Sequence, residues 1–238
     1  MGSAPYRFAL PCTSAGVSGY DAVVFDLDDT LCRRMTDPAA GYAAAFETLE
    51  LDPFGSPAAL WAELDGDPDP EDHIGYLGVG FARLAAQHGR RDVDPVALAE
   101  AFYAGIDHGA VEYTDGAAEA IALAEQHGPV GLITNGPAHR QEAKVRTLEL
   151  DGRLDSIVYA GDLPRRKPHI DPFETATAAL GVDAGRTVYV GNSLRYDVAG
   201  AHNAGLASAW YDPERADPDP YRPDHILRDL RELEGIIG

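Results

Sequence analysis

The stretch AVVFDLDDT at residues 22–30 decides the fold of this 238-residue chain. Its first four residues are apolar and predict a short buried strand. Asp26, Asp28 and Asp29 follow at the point where the strand ends. Clustered carboxylates are expensive to bury unless something neutralises them. The stretch therefore predicts both a central strand and a chemical site at its carboxyl end.

Further short apolar runs, each closed by Gly, Asn, Asp or Pro, predict strands at Val130–Thr134, Ser156–Ala160, Thr187–Gly191 and Ala207–Tyr211. Helical patterns at Gly116–His127 and Asp171–Leu180 lie between them. Strands that alternate with helices predict the α/β class, with a Rossmann-like doubly wound parallel sheet.

Residues 32–112 differ from the rest, because they contain helical patterns and no convincing strand. The predicted helices are Asp37–Leu49, Pro57–Leu64, Pro70–His88 and Pro95–His108. We therefore expect an all-helical domain at 32–112. It would be inserted into a core domain formed by 21–31 and 113–238, with residues 1–20 as a loose lead-in.

The composition is strongly acidic: 39 Asp and Glu residues against 19 Lys and Arg give a net charge of −20 and a pI near 4.6. Such a chain is a poor candidate for binding nucleic acid or an anionic membrane. Lys144 and Lys167 are the only lysines. Acids spread over the whole chain with almost no lysine favour a surface adapted to a high-salt cytoplasm, with an ordinary acidic enzyme as the alternative.

No apolar run approaches the roughly 18 residues that span a bilayer, and the apolar stretch near the N-terminus is too short for a signal peptide. Cys12 and Cys32 are the only cysteines, which favours a reduced cytoplasmic protein over a disulfide framework. The eight histidines lack zinc-like spacing and are interpreted as structural or exposed.

Polar residues also follow the other predicted strands. They are Thr134-Asn135-Gly136, Lys167-Pro168 and Gly191-Asn192-Ser193, with Asp197 shortly after. Ligands of open α/β sheets bind at the carboxyl ends of the strands, so we expect these residues to converge with the acids at 26–29.

These residue types suffice for phosphoryl transfer. Clustered carboxylates can hold Mg²⁺, which binds a few carboxylates together with a phosphate oxygen. One carboxylate can attack phosphorus to form an aspartyl-phosphate, and a second can protonate the leaving oxygen and then deprotonate water. A threonine hydroxyl, backbone N–H groups and a lysine ammonium can hold the phosphoryl oxygens.

Together these motifs resemble those of the haloacid dehalogenase (HAD) superfamily, over roughly residues 22–233. The family's Asp-x-Asp-x-Thr motif is met at 26–30, its strand-ending Thr or Ser at Thr134, and its Lys, usually followed by Pro, at Lys167. Its fourth motif, close to Gly-Asp-Ser-x-x-x-Asp, is met at 191–197 except at Asn192. The insertion lies where the family has its C1 cap.

For the matched acids, the resemblance implies a catalytic pair and a metal site. Asp26 would be the nucleophile and a Mg²⁺ ligand. Asp28 would be the general acid/base and would bind the metal through its backbone carbonyl. Asn192 and Asp197 would complete the Mg²⁺ site. Because the family usually has Asp in place of Asn192, we expect weakened metal binding or a substitute role for Asp197; an inactive relative is the alternative.

The resemblance also implies how the substrate is held. Thr134, Asn135 and Gly136 would bind phosphate, with Lys167 as the counter-charge, and Thr134 and Lys167 would take part in catalysis. The implied function is a Mg²⁺-dependent phosphatase for a small soluble phosphate monoester, most like the nucleotidase and N-acylneuraminate-phosphate phosphatase branch. A phosphomutase, a dehalogenase and a non-catalytic phosphate-binding relative are the alternatives, and both a monomer and a homodimer stay open.

Other residues have simpler interpretations. Lys144, in a predicted helix, is expected at the surface, and Cys32 is expected to be a packed free thiol beside the first motif. Six residues of the insertion could face the substrate, although surface exposure or core packing is the favoured interpretation of each: Arg33, Arg34, Tyr42, His73, Tyr76 and Arg83.

Overall fold

A parallel sheet forms the centre of the molecule in the computed structural model, which describes residues 19–35, 37–65 and 72–238. Within these residues the strands are β1 (Ala22–Phe25), β2 (Cys32–Arg34), β3 (Val111–Tyr113), β4 (Val130–Thr134), β5 (Ser156–Tyr159), β6 (Thr187–Gly191), β7 (Ala207–Tyr211) and β8 (His225–Leu227). The helices are α1 (Pro38–Thr48), α2 (Pro57–Ala62), α3 (His73–Gln87), α4 (Pro95–Ala104), α5 (Ala117–His127), α6 (Ala138–Thr147), α7 (Asp171–Leu180), α8 (Ala199–Asn203) and α9 (Glu234–Ile237).

The large sheet has the order β5-β4-β1-β6-β7-β8, and all neighbouring strands in it are parallel. β1 lies between β4 and β6, and all four of its residues are buried. Separate apolar clusters on its two faces include Val23 and Phe25 in one and Val24 in the other. This is the predicted doubly wound α/β architecture, and it brings the carboxyl ends of the strands to one edge.

The insertion contains the four predicted helices, α1 to α4, and its own apolar core. Aromatic rings dominate this core, with Phe46 and Phe81 fully buried and Tyr42 stacked on Phe81 at 5.9 Å between ring centroids. We propose, as the sequence predicts, that 32–112 forms a cap domain distinct from a core made of 21–31 and 113–238. The predicted lead-in at 1–20 lies, apart from residues 19 and 20, outside the described residues.

Local sequence explains where the insertion helices begin. Asp37, Ser56, Asp72 and Asp94 each precede a helix and accept a hydrogen bond from a backbone N–H of its first turn. Such N-caps satisfy donors that have no partner within the helix. Several of the many acids therefore serve as helix caps.

The two ends of the insertion pair as a short antiparallel ribbon, β2 with β3. The sequence did not predict this ribbon or the edge strand β8, because strands of three residues carry too little periodicity to recognise. The ribbon joins the insertion to the core directly after the acids that follow β1. Among the described residues, no helix has the length and apolar character that a bilayer crossing requires.

Candidate active site

Asp26 occupies the centre of the strand-end cluster. Its backbone N–H donates to the carbonyl of Val190 in β6 at 2.8 Å, which fixes the end of β1. The residue is 6% exposed. Its Oδ1 accepts a hydrogen bond from Lys167 Nζ at 2.7 Å, and its Oδ2 accepts one from Thr30 Oγ1 at 3.1 Å. Both oxygens are therefore held in a defined orientation.

Lys167 is the buried cation of the cluster. Its Nζ also lies 2.7 Å from Asp197 Oδ1, 2.8 Å from the Tyr189 hydroxyl and 3.1 Å from the Ile133 carbonyl. With Asp26 Oδ1, four acceptors share its three N–H groups. Burial alone would lower the pKa of Lys167, but Asp197 and Asp26 outweigh it and hold the pKa above its usual value. Burial also raises the pKa of Asp26 to about 7, with the lysine opposing the shift.

Asp197 lies behind Lys167 in the cluster. Its Oδ1 accepts from Lys167, and its Oδ2 accepts from the Ser193 backbone N–H at 2.8 Å. Both carboxylate oxygens of Asp197 therefore have a hydrogen-bond partner, and the carboxylate balances the charge of Lys167 and positions its ammonium. The expectation that Asp197 binds the metal stays a prediction.

Asn192 and Asp26 face the same hydroxyl group. Thr30 Oγ1 lies 3.1 Å from Asp26 Oδ2 and 3.3 Å from Asn192 Oδ1, and it accepts from the Asn192 N–H at 3.0 Å. Within the described residues no group of three or more His, Cys, Asp or Glu side chains could hold a metal. The oxygens of Asp26 and Asn192 nevertheless form a hard, sparse donor set, which fits Mg²⁺ sharing its coordination with a phosphate.

Asp28 is held by two side chains of α6. Gln141 Nε2 donates to Asp28 Oδ2 at 2.6 Å and to Thr134 Oγ1 at 2.6 Å, and Lys144 Nζ donates to Asp28 Oδ1. Burial alone would raise the pKa of Asp28, but Lys144 and Gln141 outweigh it and lower the pKa below its usual value. The structure thus favours the carboxylate form of Asp28.

The prediction that Lys144 is a surface residue is wrong, because its side chain is only 3% exposed and pairs with Asp28. The sequence motifs do not include Gln141. The two lie three residues apart on α6, so they share one helix face directly after the Thr134 motif. That spacing, together with the rarity of lysine in this chain, is the pattern that could have identified them.

The predicted phosphate loop is tied to the lysine loop through Asn135. Asn135 Oδ1 accepts from the Lys167 N–H at 2.9 Å, and its Nδ2 donates to the Lys167 carbonyl at 3.1 Å. Thr134 is buried at the end of β4, and the Gly136 N–H points to its hydroxyl at 3.4 Å. The structure therefore brings Thr134, Asn135, Gly136 and Lys167 together as expected, beside Asp26 and Asp28.

The insertion residues divide into two groups. Arg34, His73 and Tyr76 line cavities beside the strand ends. The other three face elsewhere: Arg33 pairs with Glu112, Arg83 pairs with Asp65, and Tyr42 packs in the insertion's aromatic core. Cys32 is buried as expected, and burial raises the pKa of its thiol to about 12.

Comparison with known proteins places this geometry in context. A family model for hydrolases, described as haloacid dehalogenase-like hydrolase, matches residues 20–205. A phosphoglycolate phosphatase of Neisseria meningitidis is 29% identical, over 92% of this chain and 94% of that protein. The pyrimidine 5′-nucleotidase YjjG of Escherichia coli is 27% identical, over 69% of this chain and 76% of that protein.

The fold is shared with solved structures. That of the HAD-hydrolase YfnB from Bacillus subtilis, described as bound to magnesium, is similar with a TM-score of 0.67. It is 24% identical, and the likeness covers 92% of this chain and 99% of YfnB. This similarity confirms the predicted core architecture with its helical insertion.

Proposed function

The chain belongs to the haloacid dehalogenase-like hydrolase family, and we propose that it is a Mg²⁺-dependent phosphatase that hydrolyses a small phosphate monoester through an aspartyl-phosphate. One observation carries this proposal: the Asp26 carboxylate at the end of the central strand is held 2.7 Å from the buried Lys167 ammonium. A fixed carboxylate can attack phosphorus while the cation stabilises charge on the phosphoryl oxygens. Relatives named as phosphatases support this choice of substrate.

In the first step an oxygen of Asp26 attacks phosphorus, the bond from phosphorus to the ester oxygen breaks, and that oxygen takes a proton from Asp28. Lys144 and Gln141 favour the carboxylate form of Asp28 in the structure. A bound phosphate, being anionic, raises the pKa of a neighbouring carboxyl. We infer that substrate binding supplies the shift that lets Asp28 hold this proton.

In the second step a water molecule loses a proton to Asp28 and attacks phosphorus. The bond between phosphorus and Asp26 breaks, which releases phosphate and restores both carboxyl groups. In this proposal Thr134 and the N–H groups of Asn135 and Gly136 would hold phosphoryl oxygens throughout. Gln141 fixes the Thr134 hydroxyl and the Asp28 carboxylate relative to each other, because its amide donates a hydrogen bond to both.

Three oxygen donors would hold Mg²⁺ in this proposal: the Asp26 carboxylate, the Asn192 amide oxygen and the Asp28 backbone carbonyl. When bound, the metal would shield the anionic nucleophile from the anionic substrate. The magnesium in the relative YfnB supports the choice of ion.

Position 28 separates the dehalogenase alternative from a phosphatase. A second carboxylate two residues after the nucleophile is needed to protonate an alkoxide, whereas a halide leaves without a proton. Asp28 therefore favours phosphate esters over haloacids. A phosphomutase would need its phosphoryl group protected from water until a second substrate hydroxyl attacks.

The test is hydrolysis of p-nitrophenyl phosphate with Mg²⁺. It is run in molar KCl, because we also propose that this is a cytoplasmic protein adapted to high salt. The wild type should release p-nitrophenol, and Asp26→Asn, which keeps the size of the side chain, should release none above background. Equal rates for the two would refute the proposed nucleophile. A wild type that is folded by circular dichroism but inactive on esters would favour the non-catalytic interpretation.

A further inference from the structure

We propose that the substrate carries a second anionic group, a carboxylate or another phosphate, and that Arg34, Arg140 and Arg166 bind it. We call these three residues the arginine cleft. The inference rests on the proposed phosphatase function and specifies which class of phosphate ester the site takes.

The arginine cleft opens directly onto the proposed reaction site. Adjoining cavities of about 660, 180 and 210 Å³ lie between the insertion and the strand ends, and His73 and Arg140 line all three. Arg34 and Arg166 line the cavity of 180 Å³ together with Asp28, the proposed acid/base. An ester bound at Asp28 would therefore extend towards these arginines.

These arginines differ from most of the described arginines in forming no ion pair. Within the described ranges most arginines form an ion pair with Asp or Glu, for example Arg153 with Glu125. No ion pair of this kind involves Arg34, Arg140 or Arg166 in the described part of the chain. In a protein with 39 acids, unpaired arginines around one cavity indicate that its anion comes from a ligand.

Arg140 supplies a second, independent observation. Its Nε is buried and has no hydrogen-bond partner, and it is the only such side-chain nitrogen or oxygen among the described residues. A buried donor of a cationic group is costly to leave unsatisfied. A carboxylate or phosphate oxygen in the cleft would satisfy this donor and its charge together.

The position of Arg140 on α6 connects the two parts of the site. It lies four residues before Lys144, so both cations occupy the same face of the helix, where like charges repel. Lys144 is compensated by Asp28, and Arg140 has no such partner. Burial and then the charges of Arg140, Lys144 and Arg34 lower the pKa of His108, which lines the same cavity.

The wall of the cleft formed by the insertion is aromatic. Trp61, Phe102 and Tyr103 line the cavity of 210 Å³ beside Arg34 and Arg140. Such rings also suit a nucleobase, so a nucleoside monophosphate is the competing occupant. The unpaired guanidinium groups favour an acidic substituent, since a neutral base would leave them without an ion-pair partner.

Matched ester pairs test this inference. One pair is 3-phosphoglycerate and glycerol 3-phosphate, which differ in a carboxylate; the other is propane-1,3-diol bisphosphate and its monophosphate. The wild type should have a kcat/KM at least about tenfold higher for the acidic member of one pair, and which pair responds identifies the anion. Arg140→Gln should reduce that preference about tenfold or more, mainly through KM, and Arg166→Gln should reduce it in the same direction.

Arg146→Gln is the matched control, because Arg146 lies on the same helix, is exposed and pairs with Glu142. Its preference within each pair should equal that of the wild type. Any of three results would overturn the inference. They are a wild-type ratio of kcat/KM values near one in both pairs, an unchanged ratio in Arg140→Gln, and faster hydrolysis of nucleoside monophosphates than of all four esters. Failure to hydrolyse any ester, p-nitrophenyl phosphate included, would instead refute the proposed phosphatase function.

A binding measurement keeps the two outcomes separate. Calorimetry with Asp26→Asn, which is expected to bind without turnover, should show tighter binding of the acidic member of the responding pair. The preference should shrink between low and molar KCl, because salt screens exposed charges. Equal affinities within both pairs would contradict anion binding by the arginine cleft. That result would not depend on which residue is the nucleophile.

Discussion

Two neighbouring regions of the molecule differ in whether their cations form ion pairs. At the strand ends, Lys167 pairs with Asp26 and Asp197, and Lys144 pairs with Asp28, so the protein supplies both partners. In the adjoining arginine cleft, Arg34, Arg140 and Arg166 form no ion pair with Asp or Glu among the described residues. The ion pairs of Lys167 and Lys144, which we call the paired region, can keep their geometry before substrate binds, which suits catalysis. The arginine cleft, the unpaired region, gains its counter-charge from the substrate, which suits substrate selection.

Removal of Lys167 is the most severe way to break the paired region. Lys167→Gln leaves Asp26 and Asp197 buried without a cation, so we expect about 3–5 kcal/mol lower unfolding free energy and a kcat lower by about 10³. Burial already raises the pKa of Asp26, and without the opposing charge of Lys167 it would lie further above that of the unfolded chain. The contribution of Asp26 to stability is therefore present at low pH and is lost as pH rises through its raised pKa.

Urea unfolding of Lys167→Gln at acidic and alkaline pH measures this effect. Arg165→Gln is the control, since Arg165 lies in the same loop in an exposed ion pair with Asp171 and should matter by less than about 1 kcal/mol. If Lys167→Gln is as stable as this control at alkaline pH, burial of Asp26 and Asp197 does not depend on the charge of Lys167.

Lys144→Met should break the second ion pair with a smaller effect. We expect kcat to fall about 10- to 100-fold, because Asp28 loses the partner that orients it. The loss should be greater for an alkyl phosphate than for p-nitrophenyl phosphate, whose leaving group needs less protonation. Lys144→Arg should recover part of the activity. Equal losses on the two esters would place Lys144 outside the proton-transfer step.

Asn192→Asp should sharpen the comparison by adding an acid to the paired region without a matching cation. The Mg²⁺ concentration for half-maximal activity should fall about tenfold, since a carboxylate is a stronger Mg²⁺ ligand than an amide. Gln126→Glu, an exposed change of the same kind on α5, should leave it unaltered. An unchanged Mg²⁺ requirement in Asn192→Asp would show that this position does not bind the metal.

Tyr42→Phe should have the smallest effect, because Tyr42 lies in the insertion's core and outside both charged regions. Its hydroxyl donates to the Phe54 carbonyl at 2.8 Å, and loss of this bond should lower the unfolding free energy by about 1 kcal/mol. The value of kcat/KM should stay within about twofold of wild type. A tenfold loss would mean that Tyr42 reaches the substrate after all.

The sequence predicted the paired region far better than the unpaired one. Asp26 and Lys167 follow recognisable strands and Thr134 ends one, and a parallel sheet gathers such residues at one edge. Lys144 and Gln141 were missed because their roles depend on how α6 packs against the loop after β1. Their spacing places them on one helix face, but it does not say what that face contacts.

The arginine cleft was beyond sequence analysis for a similar reason. Arg34, Arg140 and Arg166 come from the insertion ribbon, from α6 and from the lysine loop. Only packing shows that they line one cavity while forming no ion pair among the described residues. Among the insertion candidates, Arg34 and Arg33 are adjacent, yet they alternate in direction along β2. Arg33 pairs with Glu112 while Arg34 lines the cavity, a distinction that needs the ribbon's register.

The covalent intermediate tests the central proposal most directly. Turnover of a phosphate ester with Mg²⁺ is quenched in acid within the first cycles, and the peptides are analysed by mass spectrometry. We predict one added phosphoryl group on Asp26, absent from Asp26→Asn and from samples without ester. Active enzyme that never carries phosphate on Asp26, or carries it on another residue, would contradict the proposed mechanism.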